Sequence, residues 1–363
     1  MRKCVKPLIT LALVSILLAP LVGCACAEGG IIPDPNLEAA IRKAIDKPKG
    51  DIEPSDLEAL TELGPLRTMD PVDLSGLEHC TSLTHLSLWG NNISDLTPLE
   101  NLTSLTYLSL WGNQMSDITP LSNLTNLTVL ILYDNQISDI SSLSNLTSLI
   151  QLDLSGNQIS DITSLSNLTS LTGLYLAGNQ ISDITPLANL TSLTELRLWN
   201  NQISDISPLS SLTSLISLEL RGNQISDISP LENLTSLRGL WLDNNQINDI
   251  TPLENLTSLT ELDLSRNQIS DITPLENLTS LTELGLGRNQ ISDITLLTNF
   301  TSLTQLDLSW TWTSDITPLV DNKGLSEGDE IDLMGNPLSP TSINVYIPQL
   351  LARGVEVFWS VTQ

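Results

Sequence analysis

The chain has 363 residues, with 15 Lys and Arg against 42 Asp and Glu, a formal charge of −27. Phosphate binding needs clustered Lys and Arg, so this balance excludes nucleic acid as a partner and electrostatic docking on anionic lipid. At 40% hydrophobic residues the chain is not disordered, and two His and four Cys supply the usual catalytic and zinc constellations thinly.

Residues 1–24 read as an export signal. Arg2, Lys3 and Lys6 form a positive start. Leu8 to Val22 form an apolar run too short for a membrane-spanning helix. The run closes with Leu21-Val22-Gly23-Cys24, which resembles the lipobox of bacterial lipoproteins. That resemblance implies cleavage after Gly23 and a lipid on Cys24. Ala25-Cys26-Ala27 offers a second cleavage point, before Glu28, by the small-x-small pattern. Either way the mature chain is expected outside the cytoplasm. Cys80 stands alone in the body of the protein, so a disulfide scaffold is not expected. A Cys26–Cys80 bridge stays open as an alternative.

Next in order come two short helices. Asp34-Pro35, followed by Leu37, Ala40, Ile41, Ala44 and Ile45, predicts a capped amphipathic helix with Pro in its first turn. Ser55 to Leu60 predicts a second. Both would cover the apolar end of the body of the chain.

That body is one unit copied. Leu83-Thr-His-Leu86-Ser-Leu88-Trp-Gly-Asn91 opens a segment that runs through Ile93, Asp95, Leu96, Pro98, Leu99 and Leu102. The same frame returns at Leu105, Leu127 and onward to Leu303, in steps of 22 residues without an insertion or deletion. A degenerate copy precedes it, with Leu66, Leu74, Leu77 and Cys80 in phase, and the fragment Ile331 to Asn336 comes after the last full copy. A single 22-residue turn cannot close a core, whereas stacked turns bury a shared one.

The spacing L-x-x-L-x-L-x-x-N with the tail I-S-D-I-T-P-L is that of the leucine-rich repeat, and it resembles the 22-residue repeats of internalins and related bacterial surface proteins. The resemblance implies an α/β solenoid. Each turn would carry a short parallel strand on the concave side and a 3₁₀ or irregular segment on the convex side. A helical cap would stand at the start and a helix–strand cap at the end. Ser339-Pro340 starts the closing helical stretch, expected to break near Pro348 and to stop at Gly354. Val355 to Trp359 alternates like a final edge strand. The expected layout is signal 1–23, tether 24–30, helical cap 31–62, repeats 63–320 and closing cap 321–363.

Two polar columns have structural readings. The Asn column, Asn91 through Asn289, is expected to satisfy buried backbone groups of adjacent turns. The Asp column, Asp95 through Asp315, is expected to cap the convex turns. A calcium ladder is the other reading of that column, although one carboxylate per turn is few for a calcium cage. Asn-Leu-Thr sequons from Asn101 to Asn277 fall at one repeat position, so copying explains them. Cys80 takes the place of Leu102 and reads as a buried apolar residue. His79 and His85 lack zinc spacing. No metal and no cofactor is expected.

The variable positions carry the functional expectation. The third, fifth and seventh residues of each frame should face the concave side. Trp89, Tyr107, Trp111, Ile131, Tyr133, Tyr175, Trp199 and Trp241 fall there, and Trp310 takes the neighbouring eighth place. Trp and Tyr bring much contact area at low entropic cost, so these residues are the candidate site for a protein ligand. Carbohydrate is the alternative ligand, and a passive surface or assembly role a further alternative. Later turns replace aromatics with Arg197, Glu219, Arg221, Glu261, Asp263, Arg266, Glu283, Arg288 and Asp307, either a solvated surface or a second, polar contact zone. The region outside repeats and caps is too small for a catalytic domain, and no enzyme is expected.

Overall fold

A computed structural model describes residues 30–360 except Met69 and Pro71. The proposed signal peptide, most of the tether and Cys24 lie outside the described residues, as does Cys26.

Asp34 caps the first helix, α1 (Pro35–Ala44), by accepting from the amides of Asn36 and Leu37, both at 2.9 Å. This satisfies two of the donors that a helix start leaves free. Leu37 and Ile41, one turn apart, bury the same face. A single-turn α2 (Pro54–Leu57) comes next, ending before Leu60, which is buried like Leu57 but lies beyond the helix.

Fourteen parallel strands then form one sheet in strict chain order. They are β1 (Glu62–Leu63), β2 (His85–Ser87), β3 (Tyr107–Ser109), β4 (Val129–Ile131), β5 (Gln151–Asp153), β6 (Gly173–Tyr175), β7 (Glu195–Arg197), β8 (Ser217–Glu219), β9 (Gly239–Trp241), β10 (Glu261–Asp263), β11 (Glu283–Gly285), β12 (Gln305–Asp307), β13 (Glu330–Asp332) and β14 (Glu356–Phe358). Between β2 and β12 each residue pairs with the residue one repeat away, as in Tyr107 with Val129 and Glu261 with Glu283. Pairing continues past the strands: Leu88 N donates to Ser109 O and Gly90 N to Trp111 O, each at 2.9 Å. The seventh residues are therefore held at strand spacing too.

The core is a stack of identical layers. Leu83, Leu86, Leu88, Ile93, Leu96, Leu99 and Leu102 are each fully buried or within 1% of it, and their copies repeat the pattern. On the convex side, short 3₁₀ segments such as Thr97–Leu99 and Thr119–Leu121 begin with Thr-Pro, whose fixed φ suits a first helical turn.

Both polar columns do structural work. Asn157 Nδ2 donates to Leu132 O of the preceding turn (3.1 Å) and Leu154 O of its own (3.0 Å), while its Oδ1 accepts from Ile137 N (3.0 Å). Asp95 Oδ1 accepts from the hydroxyl (2.6 Å) and amide (2.9 Å) of Thr97, and these bonds hold its carboxyl below the usual carboxylate range. Where the last full copy has Thr311 instead of Asn, the Thr311 hydroxyl meets Asn336 Oδ1 at 2.8 Å, and Asn336 resumes the bond to Leu308 O.

The closing helix corrects one expectation. The chain does not break at Pro348. A π-helical turn (Ser342–Tyr346) passes directly into α3 (Ile347–Ala352), with Tyr346 and Ile347 both in the right-handed helical region. Pro348, which has no N–H to donate, follows directly on this π turn, whose last bond runs from Ile347 N to Ser342 O, five residues back. Gly354, at φ +86°, stops the helix, and β14 then closes the sheet edge. Among the described residues no helix is long and apolar enough to cross a membrane.

Candidate ligand-binding face

The sheet face opposite the core is the concave face. Along each strand the middle Leu points inward and its two neighbours point out, as the period-two pleat requires. Parallel strands in register then turn each outward position into a column with a rise of about 4.8 Å.

The candidate aromatics fall into separate groups. Trp89 and Trp111 stack at 4.7 Å between ring centroids and 6° from parallel. Tyr133 continues the row at 6.4 Å, tilted by 37°. The guanidinium of Arg67 covers the free face of Trp89 at 4.7 Å. Four consecutive turns thus present one continuous row, with Tyr133 the most exposed of its rings at 44%. Tyr107 lies in the third column and stacks on His85 at 5.9 Å. Ile131 is half-buried in the fifth column beside Ser109 and Asp153.

Two turns further on, charge joins the aromatics. Arg197 lies 4.9 Å from the Tyr175 ring and pairs with Glu195 (2.6 Å) and Glu219 (3.0 Å). The Tyr175 hydroxyl donates to Glu195 Oε2 at 2.8 Å, and burial with this bond pushes its pKa up to about 12. Glu219 also holds Arg221 at 3.1 Å, and Arg221 covers Trp199 at 5.2 Å. Trp199 and Trp241 do not meet. Trp241 instead lies down over Gly239 of its own strand, where any Cβ would collide with the ring.

Beyond Trp241 the face is acidic. A depression of about 180 Å³ is lined by Trp241, Glu261, Asp263, Glu283, Gln305 and Asp307 over a floor that includes Gly285. Burial raises the Asp307 pKa. Asp243, in the adjoining seventh column, is pushed up to about 6 by burial and by Asp263, against the opposing pull of Arg221 and Arg266. Its Oδ1 is enclosed and accepts no hydrogen bond from the protein.

Other marked residues have quieter surroundings. Cys80 is fully buried, and burial together with the nearby Glu78 charge pushes its thiol up to about 12. His79 lies 4.0 Å from Glu78 and His85 takes part in a bond with Thr84. Trp310 is 55% exposed, held at φ +55° with Arg288 over its ring at 5.5 Å. Among the described residues no three His, Cys, Asp or Glu side chains converge to hold a metal ion.

Sequence reasoning missed four participants. Arg67 precedes the regular copies, so no repeat column pointed to it. Gly173 and Gly239 have a legible signal: each sits two residues before a fifth-column aromatic, leaving room for that ring to lie flat. Gly285 has none until its neighbours are known.

Known proteins share the fold that carries this face. The family described as "Leucine Rich repeats (2 copies)" matches residues 81–123, 125–167 and, in overlapping pairs, 169–299. No curated protein sequence matches the chain. Among solved structures, an internalin from Listeria monocytogenes is 38% identical, with a TM-score of 0.83, covering 92% of this chain and 97% of that one. A leucine-rich-repeat protein from Leptospira interrogans shares the fold at 24% identity and a TM-score of 0.70, covering 89% and 98%. The ectodomain of a plant membrane receptor kinase from Arabidopsis thaliana, in complex with Casparian strip integrity factor 2, is 25% identical with a TM-score of 0.65, covering 80% of this chain and 37% of that one.

Proposed function

The chain belongs to the leucine-rich-repeat family, in its internalin-like form, and from that premise we propose that it is an exported binding protein, held to a membrane by a lipid on Cys24, that captures a protein ligand on its concave face. The observation that carries this reading is the row Arg67–Trp89–Trp111–Tyr133. Binding here is shape complementarity around aromatic anchors, without covalent chemistry.

A protein ligand accounts for the row better than a sugar does. Sugars stack on ring faces, but Arg67 and Trp111 cover the two faces of Trp89, and Trp89 and Tyr133 flank Trp111. Ring edges are what Trp89 and Trp111 offer outward, and edges suit packing against side chains and backbone. The plant receptor kinase ectodomain, in complex with Casparian strip integrity factor 2, gives a precedent for a partner held by this fold.

The test immobilises the purified chain and captures proteins from cell envelope and culture medium. A ligand retained by the wild type should be lost by the Trp89→Ala/Trp111→Ala/Tyr133→Ala variant, whose fold is checked by circular dichroism. Full capture by the folded variant overturns the site. Robust binding to a glycan array without any protein partner overturns the ligand class. Mass spectrometry of the mature chain tests the anchor: a diacylglyceryl adduct on Cys24 supports it, and an unmodified terminus at Glu28 removes it.

A further inference from the structure

The concave face contains the same cell twice, once filled and once open. In the filled cell Arg197 lies against Tyr175, between Glu195 and Glu219. Three repeats further along, the equivalent positions are Trp241 for Tyr175, Glu261 for Glu195, Asp263 for Arg197 and Gly285 for Glu219. The aromatic and the first glutamate are kept. The chain's own cation is replaced by an acid, and the second glutamate by a residue with no side chain. Without a side chain at Gly285, the Asp263 carboxylate folds onto the place a Cβ would take, and both residues line the depression of about 180 Å³, to which Glu283 and Asp307 are added.

We propose that this open cell takes an arginine side chain of the polypeptide ligand, seated against Trp241 and paired with Glu261 and Glu283, as Arg197 is seated in the filled cell. The inference rests on the reading of the concave face as a protein-binding surface and names the chemistry of one contact there.

Three observations support it. First, the acids are unpaired: among the described residues no ion pair ends on Glu261, Asp263, Glu283 or Asp307; Arg266 and Arg221 act on the adjoining Asp243, Arg221 is itself engaged by Glu219 and Trp199, and Arg288 by Trp310. Second, these carboxylates are too dispersed to converge on a metal ion, so an extended cation fits them better than a point charge. Third, a guanidinium combines a flat face for the indole with a fork of donors for carboxylates, whereas an ammonium offers neither. The face itself uses arginine in this way at Tyr175 and at Trp199.

The test is calorimetric titration of the full chain with acetylated tetra-arginine amide, and with the uncharged isostere tetra-citrulline, at about 0.15 M salt to screen loose attraction. The expected result is at least tenfold weaker binding of tetra-citrulline. The decisive variant is Asp263→Arg/Gly285→Glu, which rebuilds the filled cell and supplies the cation internally. It should bind tetra-arginine at least tenfold more weakly than wild type. Should it fail to fold, the near-isosteric Glu261→Gln/Glu283→Gln takes its place with the same expectation. Unchanged affinity in a folded variant of either kind overturns the proposal, as does equal binding of the two peptides. Trp89→Ala/Trp111→Ala/Tyr133→Ala separates this inference from the broader one, because it should lose protein capture yet keep tetra-arginine binding within twofold. Loss of tetra-arginine binding in that variant would place the cation on the aromatic row and overturn the open cell.

Discussion

Trp89 and Trp111 stack 4.7 Å apart and 6° from parallel, although 22 residues separate them in the chain. The distance is set by the backbone. Parallel strands lie about 4.8 Å apart, so like rings in one column meet at the spacing that stacking prefers. A solenoid that repeats without insertion thus stacks any planar side chain it repeats, and Arg67 and Tyr133 extend the row at its two ends.

The stack has an optical signature. Indole rings this close couple, and the wild type should show an exciton couplet in circular dichroism. Trp89→Ala and Trp111→Ala should each abolish it. Trp111→Ala should also cost about 1–2 kcal/mol, from lost ring contact and the gap left between Trp89 and Tyr133. A couplet that persists in both variants would mean that other tryptophans produce it.

Asn157→Ala removes one rung of the asparagine column. Its amide and carbonyl serve the backbone at Leu132, Leu154 and Ile137, all within the stack. Leaving these groups buried and unpaired should cost about 3–5 kcal/mol, read as a lower urea midpoint. Hydrogen exchange at the Ile137 amide should accelerate more than at amides several turns away, because each turn contacts only its neighbours. A uniform change along the solenoid would contradict that locality.

The aspartates divide by the sign of their effect on stability. Burial raises Asp243 to about 6, so its ionisation opposes folding progressively as the pH rises from about 4, its unfolded value, and the penalty is complete above about 6. Arg221 and Arg266 offset part of this, and Asp263 adds to it. Asp243→Asn should therefore stabilise the protein at pH 7–8 by about 1 kcal/mol, a figure reduced for solvent screening of a half-exposed group. The gain should shrink as pH falls from 6 towards 4. Asp95 and Asp183 act in the opposite sense, because threonine bonds lower their folded pKa. Their contribution is present above the unfolded value and disappears as pH falls through the folded one. Thermal midpoints of wild type and Asp243→Asn across pH 3–8 check both signs.

Cys80 should be inert in the native state. Its thiol is buried and pushed up to about 12, so little thiolate is present or reachable at neutral pH. A thiol reagent should modify Cys80 only at the rate of unfolding, and fully in denaturant. Rapid modification of the native protein at this residue would show that the first turns open.

How much was legible depended on whether a property repeats. The leucine layers, the asparagine rungs and the aspartate caps were readable because ten or eleven copies show the same residue type at the same place. The helix start at Asp34 was readable from its local cap chemistry. Pro348 does not break the helix because it follows a π turn, and residue spacing alone does not reveal such a turn. The pairing of Arg197 with both Glu195 and Glu219 was hidden, since three charged residues in two adjacent columns are consistent with solvated side chains until their rotamers are known.

By itself the sequence determined the architecture: a 22-residue period with invariant apolar positions has one economical way to bury them, which is to stack turns in register. It also determined which columns face outward, because a strand alternates its side chains. Tertiary structure alone decided what the outward residues do. Whether Trp241 stands up or lies over Gly239, whether Arg67 reaches Trp89, and whether four acids find an internal cation depend on side-chain torsions and on contacts a full repeat or more apart. Backbone periodicity constrains none of these, since side chains of very different shape fit the same column while leaving the core beneath unchanged.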